Sequence, residues 1–250
     1  MYYKVAVGVN LYPGAELRGC VEDIESLKVM NIALPQFVGC IELLDGEATT
    51  ENIHEALTDT VAKLTEDDIL MFQYSGHGTL TAHKHEAICP VDFDWTEGHM
   101  LTDQNLVDIF EHMPEGSKLY WLSDSCHAGG LSRNPVLRTD IVGRCYPLEA
   151  PFQDYGMARV PIARTLQQSP KIKAEVGYVA GCMHSQTSAD ALIDGKWCGA
   201  FTHYFIEALL QKPMATMARL CSKTHALLHT NGYEQNPQVD GILRGSRFLA

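Results

Sequence analysis

The chain alternates short runs that are apolar almost throughout with longer stretches in which apolar residues recur every three or four positions. The uniform runs cover residues 3–10, 37–44, 69–74, 118–123 and 176–182. A strand covered by helices on both faces reads this way, because neither side of it meets water. The periodic stretches predict a helix over 19–34, with Val21, Ile24 and Leu27 as apolar positions. A second helix starts at Thr50 as a candidate N-cap and carries Ile53, Leu57, Val61 and Leu64 on one face. Others run from a cap at Thr102 or Asp103 to His112, over 200–210 and over 214–229. Residues 86–91 read as a hairpin arm. Strands separated by helices imply an α/β fold: one domain over 1–250, with a mainly parallel sheet and helices on both faces. Residues 131–175 show weak periodicity, hold five of the 11 prolines and predict a long loop.

Candidate chemistry sits where two of the uniform runs end. The run ending in Tyr74 is followed by Ser75-Gly76-His77-Gly78, and the run ending in Leu122 by Ser123-Asp124-Ser125-Cys126-His127. Parallel strands ending side by side place an imidazole and a thiol on the same rim, the carboxyl end, where open α/β sheets hold ligands. A neighbouring imidazole turns a thiol into a nucleophile. A single His is more often a surface residue, and a single Cys a small buried hydrophobe. Flanking glycines at 76, 78, 129 and 130 favour the functional reading, because they let a substrate approach main-chain N–H groups. The two residues lie 49 positions apart (126 − 77), His first.

That order and spacing are caspase-like. Tyr74-Ser75-Gly76-His77-Gly78 and Asp124-Ser125-Cys126-His127 resemble the metacaspase branch. So do Gly19-Cys20-Val21-Glu22-Asp23 and Gly199-Ala200-Phe201-Thr202. The resemblance spans about residues 3–245 and implies the caspase–haemoglobinase fold, an α/β fold with a mainly parallel six-stranded sheet and helices on both faces, and cysteine endopeptidase activity. It also implies that Cys20, Asp23, Ser75 and Asp124 line the pocket for a basic residue before the cut bond (P1). Charge agrees, since a pocket for Arg or Lys needs carboxylates. Asp124, two residues before the nucleophile, lies on its side of an extended chain. Asp23 alone could equally be a first-turn carboxylate favouring a helix dipole.

The mechanism that follows has His77 take the thiol proton and Cys126 attack the carbonyl after Arg or Lys. The N–H groups of Gly78 and Cys126 form the oxyanion hole, and no third catalytic residue is evident. An esterase-type nucleophile elbow, G-x-[SC]-x-G, fails because Asp124 and Ala128 stand at its glycine positions. A catalytically weak scaffold of caspase-like fold is the alternative; intact His77 and Cys126 argue against it. The 131–175 segment carries seven of the 19 basic residues, Arg144 among them. An activation loop fits: the chain is expected to be a zymogen, cut there by itself or by an upstream protease.

Metal and partners are constrained in turn. The resemblance points to an acidic calcium site, matched by Asp92 and Asp103 with Asp94 nearby, but Arg133 stands at the last ligand position unless Asp140 replaces it. No cofactor is therefore expected to be required, with Ca2+ at most a weak ligand. His83, His85, His225 and His229 lack a third ligand in sequence and read as surface residues. A net charge of −12 repels phosphate backbones and attracts basic peptides, so no nucleic-acid partner is expected. No apolar stretch reaches membrane-spanning length, and no signal peptide is evident. Eight scattered cysteines without metal spacing suggest reduced thiols and a cytoplasmic enzyme.

Overall fold

A computed structural model describes residues 1–28, 36–81, 85–126, 140–146, 162–183 and 186–250. Its centre is a six-stranded sheet of β1 (Tyr2–Gly8), β2 (Gly39–Leu44), β3 (Ile69–Ser75), β7 (Lys118–Asp124), β9 (Glu175–Ala180) and β12 (Gln238–Gly241). The order across the sheet is β12-β9-β7-β3-β1-β2. All pairs are parallel except β12 with β9. Within the central pair the register sets Ser75 opposite Asp124, so the two chemistry-bearing turns leave the sheet side by side.

Alternation along β3 explains how one strand serves two cores. Leu70, Phe72 and Tyr74 pack on one face with Leu119, Trp121, Ile53, Leu57, Leu106 and Phe110. Ile69 and Met71 point the other way, among Tyr120, Leu122, Phe201, Phe205 and Leu220. The first face is covered by α2 (Thr50–Val61), α3 (Asp103–Phe110) and α4 (Ile162–Gln168), the second by α1 (Cys20–Lys28), α5 (Ala200–Gln211) and α6 (Met217–Thr230). Burial on both faces is why β3 and the five residues Leu119–Ser123 of β7 are buried without a break.

Local chemistry sets the helix starts. Thr49, not Thr50, caps α2 by accepting the N–H of Asn52. Thr102 caps α3 in a capping box with Asn105, which leaves Asp103 as the first residue inside the helix. Thr216 caps α6, two residues later than the apolar pattern begins.

The 131–175 segment is not uniformly irregular. Its described part holds α4, whose Ile162 and Leu166 enter the core, and a short strand β8 (Ile141–Gly143). Strand β8 joins a small antiparallel sheet with β10 (Ala189–Ile193) and β11 (Lys196–Gly199), in the order β11-β10-β8. A second small sheet holds β4 (Gly78–Leu80), β5 (Glu86–Ile88) and β6 (Leu101–Thr102). Residues 127–139 and 147–161, with His127, Gly129, Gly130 and Arg133, lie outside the described residues.

Candidate active site

His77 follows β3 by two residues and Cys126 follows β7 by two, at the same rim of adjacent parallel strands. His77 is held by two tyrosines. Its N–H donates to the Tyr12 hydroxyl at 3.0 Å, its ring lies 4.5 Å from the Tyr12 ring, and Tyr146 meets it edge-on at 5.4 Å. Gly76 is required beside it, since a Cβ there would press on the hydroxyls of Tyr12 and Tyr74. Nε2 of His77 lies 2.6 Å from the carbonyl oxygen of Ala15. A carbonyl only accepts, so the ring proton sits on Nε2 and Nδ1 keeps a lone pair. Among the described residues Nδ1 has no hydrogen-bond partner. Burial lowers the His77 pKa from 6.5 to about 4, against raising contributions from the Ala15 and Arg144 carbonyls. The imidazole is therefore neutral at neutral pH. The Cys126 thiol is buried and donates to the carbonyl of Gln186, so its proton is also in place. The resting pair is neutral thiol and neutral imidazole.

Two amide groups at this rim converge on one oxygen. Gly78 N and Cys126 N donate to the carbonyl of Arg144 at 3.3 and 3.1 Å. These are the two donors that the sequence marked for an oxyanion. The chain around Arg144 is extended on both sides of that carbonyl. Before it, β8 pairs antiparallel with Ala189–Ala191, and Arg144 N donates to Ser188 O at 3.0 Å. After it, Tyr146 N donates to Gly78 O at 3.0 Å.

The Arg144 side chain is wholly buried in a pocket of carboxylates. Nη1 donates to Asp23 and Ser75 at 2.6 Å each and lies 3.3 Å from Asp124. Nη2 donates to Asp190 at 2.9 Å. Asp124 is fixed from behind: one oxygen accepts from Ser188 at 2.6 Å, the other from the N–H and hydroxyl of Thr202 at 3.0 and 2.7 Å. Thr202 lies in the first turn of α5, where free N–H groups and the helix dipole favour an anion. Gly199, just before that helix, donates its N–H to Asp23 at 2.8 Å, and a Cβ on it would overlap both the Asp124 carboxylate and the guanidinium.

Three carboxylates around one cation are not neutral. Burial pushes Asp23 up to about 7; Arg144 pulls it down and Asp124 adds to the rise. Burial opposes the charge on Arg144, but Asp124, Asp23, Cys20 and Asp190 together hold its pKa well above the ordinary value. Cys20 is buried beside them, and burial raises its thiol pKa.

All four pocket residues expected from sequence, Cys20, Asp23, Ser75 and Asp124, thus meet around Arg144. Two participants were missed. Asp190 is one acidic residue between alanines in β10 and carries no local motif. Ala15 contributes a backbone oxygen, which no residue type announces.

The two carboxylates considered for calcium are engaged apart from each other. Asp92 accepts from the N–H and hydroxyl of Thr50 at 2.9 and 3.0 Å, at the start of α2. Asp103 is buried and bonded to His85 at 3.0 Å and to Thr165 at 2.8 Å. Asp94 binds Thr96 and His99. Among the described residues no group of three or more His, Cys, Asp or Glu side chains could hold a metal ion. Among the described residues Asp92 and Asp103 are thus not gathered into one cluster. His225 and His229 stack on each other at 4.3 Å.

Comparison with known proteins places this geometry. The model of the metacaspase peptidase C14 domain matches residues 4–135. The chain belongs to the metacaspase family. Metacaspase-1 of Meyerozyma guilliermondii is similar at 30% identity over 278 residues, covering 93% of this chain and 67% of that protein. Metacaspase-2 of Arabidopsis thaliana is 30% identical over 233 residues, covering 86% of this chain and 53% of that protein. The chain thus spans about two thirds of the fungal relative and about half of the plant one. Protein GSU0716 from Geobacter sulfurreducens shares the fold, with a TM-score of 0.74 at 19% identity, covering 100% of this chain and 98% of that one. Family membership makes the chain a cysteine peptidase acting on protein substrates. No helix among the described residues is long and apolar enough to cross a membrane.

Proposed function

We propose that this metacaspase is an endopeptidase that cleaves after Arg or Lys with a His77–Cys126 dyad. It is made as a zymogen whose first substrate is its own Arg144–Cys145 bond. One arrangement carries the proposal. Residues 140–146 lie across the active site as a substrate would, with a basic side chain among carboxylates and its carbonyl on two convergent amides.

The chemistry follows from the same contacts. Nδ1 of His77 takes the thiol proton while Ala15 holds the ring by Nε2–H. The Cys126 sulfur attacks the Arg144 carbonyl carbon, and the oxygen becomes an anion facing Gly78 N and Cys126 N. Donors of this kind are each worth ~3 kcal/mol. Collapse breaks the Arg144–Cys145 bond, and His77 returns its proton to the new amine. Water then hydrolyses the thioester and frees the Arg144 carboxylate. Before any of this the thiol must turn from the Gln186 carbonyl toward the scissile carbon. In the cut enzyme a second polypeptide would pair with Ala189–Ala191 in the place of β8 and insert its own basic residue. The acidic surface favours such partners over nucleic acid. None of the eight cysteines is in a disulfide among the described residues, in keeping with a reducing, cytoplasmic setting.

N-terminal sequencing and intact mass test this directly. Wild type should yield fragments beginning at Cys145, and Cys126→Ala should stay whole unless an upstream protease is present. A peptide series with Arg, Lys or Asp at P1 should be cut after the basic residues only. Efficient cleavage after Asp, or processing solely at other basic residues, would defeat the assignment.

A further inference from the structure

We infer that Asp190 is a specificity-determining residue that makes the pocket select Arg over Lys. This rests on Arg144 occupying the pocket as a P1 side chain. The two terminal nitrogens of Arg144 go to different walls. Nη1 reaches Asp23 and Ser75, beside Asp124, while Nη2 alone reaches Asp190. Asp190 comes from β10, the strand that also pairs with β8 just upstream of the basic residue. Recognition of the main chain and of the second guanidinium nitrogen therefore comes from one strand.

Asp190 is rigidly held. Its two oxygens accept the backbone N–H groups of Arg18 at 2.7 Å and Gly19 at 3.0 Å, and the residue is 0% exposed. Gly19 lets the amides come this close, since a Cβ there would overlap the Asp190 carboxylate. The carboxylate cannot swing toward a displaced cation without losing both amides. A lysine has one terminal nitrogen. Placed at the Nη1 position it meets Asp23, Ser75 and Asp124 and leaves Asp190 facing no cation. Placed near Asp190 it abandons the other three. Arg spans both because its donors form a rigid fork. One charge-assisted hydrogen bond, together with an otherwise uncompensated buried carboxylate, predicts about a 10- to 100-fold preference for Arg.

The decisive measurement is kcat/KM of the processed wild-type enzyme on paired peptides differing only in Arg or Lys at P1. The Arg peptide should win by that factor, and a ratio near one overturns the inference. Asp190→Asn should bring the ratio within about threefold by lowering the Arg value much more than the Lys value. Equal loss on both peptides would make Asp190 structural only. Asp190 also anchors two amides, so the wild-type ratio stands as a test even if the variant folds poorly. Self-cleavage supplies a second readout: Arg144→Lys should slow it by the same factor in the wild-type background and far less in Asp190→Asn. If neither peptide is cut, the basic-P1 function itself fails; if both are cut equally, only the role of Asp190 does.

Discussion

Removing the Arg144 side chain should destabilise the uncut protein by an amount that depends steeply on pH. The perturbation is Arg144→Ala in a Cys126→Ala background, so that cleavage does not interfere. In the parent the guanidinium is fully buried and donates to Asp23, Ser75 and Asp190, with Asp124 beside it. Breaking a buried ion pair from one side costs about 3–5 kcal/mol, because the partner charge stays buried. Here three carboxylates would remain, all with their exits from water unchanged, so the full range applies at pH 8. As pH falls the loss must shrink. Asp23 already stands at about 7 with the cation present, held up by burial. Without the cation the cluster takes up more protons than the parent does at the same pH. Stability follows the proton difference, so the gap closes by about 1.4 kcal/mol per pH unit for each extra proton held by the folded variant. Urea unfolding of both chains at pH 8 and pH 6 reads the two values. Lys171→Ala, which removes an exposed cation, serves as the control and should leave the urea midpoint nearly unchanged at both pH values. A loss below 1 kcal/mol at pH 8, or one that is the same at pH 6, would refute the picture of a dry, charge-dense pocket filled by Arg144.

Other consequences can be checked alongside it. The depressed pKa of His77 means the folded state resists protonation, so in Cys126→Ala its contribution is complete above pH 6.5 and is lost as pH falls toward about 4. The loss amounts to about 3 kcal/mol, and His77→Gln should flatten that part of the stability–pH curve. Gly199→Ala should abolish self-cleavage, measured by gel, because its methyl would occupy the space of the Asp124 carboxylate and the P1 guanidinium; normal processing would show that the pocket yields. Iodoacetamide followed by peptide mass mapping should label the exposed Cys40 first in the uncut protein and Cys126 only after the 140–146 strand has left. Rapid labelling of Cys126 in the intact chain would mean that the strand does not cover it.

The sheet was legible because parallel strands buried on both faces are apolar at every position, and that pattern survives without knowledge of the partners. Errors fell where a local signal was ambiguous. Thr49 and Thr50 are both capping residues, and the choice is made by Asp92, which reaches the Thr50 amide from 42 positions away. The stretch 131–175 reads as loop because β8 has only three residues, too few for the β-branched Ile141 and Val142 to show a pattern, and it pairs with β10, which lies 46 (189 − 143) or more positions further on. The His and Cys were legible because each carries glycines and follows a strand. The carboxylates of the pocket divide by how they are placed. Asp23 and Asp124 belong to segments already marked by Cys20 and Cys126, so the family resemblance reached them. Asp190 lies 64 positions beyond Cys126 (190 − 126) in a segment with no marker of its own.

Why Arg144 occupies the site, out of seven basic residues in the segment, is likewise a tertiary matter. Ile141-Val142-Gly143 precedes it, a short run without charge that pairs flat against Ala189–Ala191, where Gly143 lies opposite Ala189. A Cβ on Gly143 would press on the Thr187 methyl, so the residue before the basic one has to be small here. Tyr146, two residues on, lies at 4.8 Å from Phe93 and at 5.9 Å from Tyr12, ring centre to ring centre, and closes over His77. The same residues that seat the bond for attack also bury the base and keep it neutral. Under the proposed self-cleavage that cover is removed. The new end at Arg144 would then be tied, among the described residues, by β8 and the pocket, while the fragment starting at Cys145 stays in the fold through the pairing of β9 with β7 and the burial of α5 and α6. If the strand left, water would reach His77 and relieve the burial that lowers its pKa, which would let the imidazole take up a proton near neutral pH. Self-inhibition and activation are on this account one structural change, made by a segment that is first the substrate and afterwards the vacated groove.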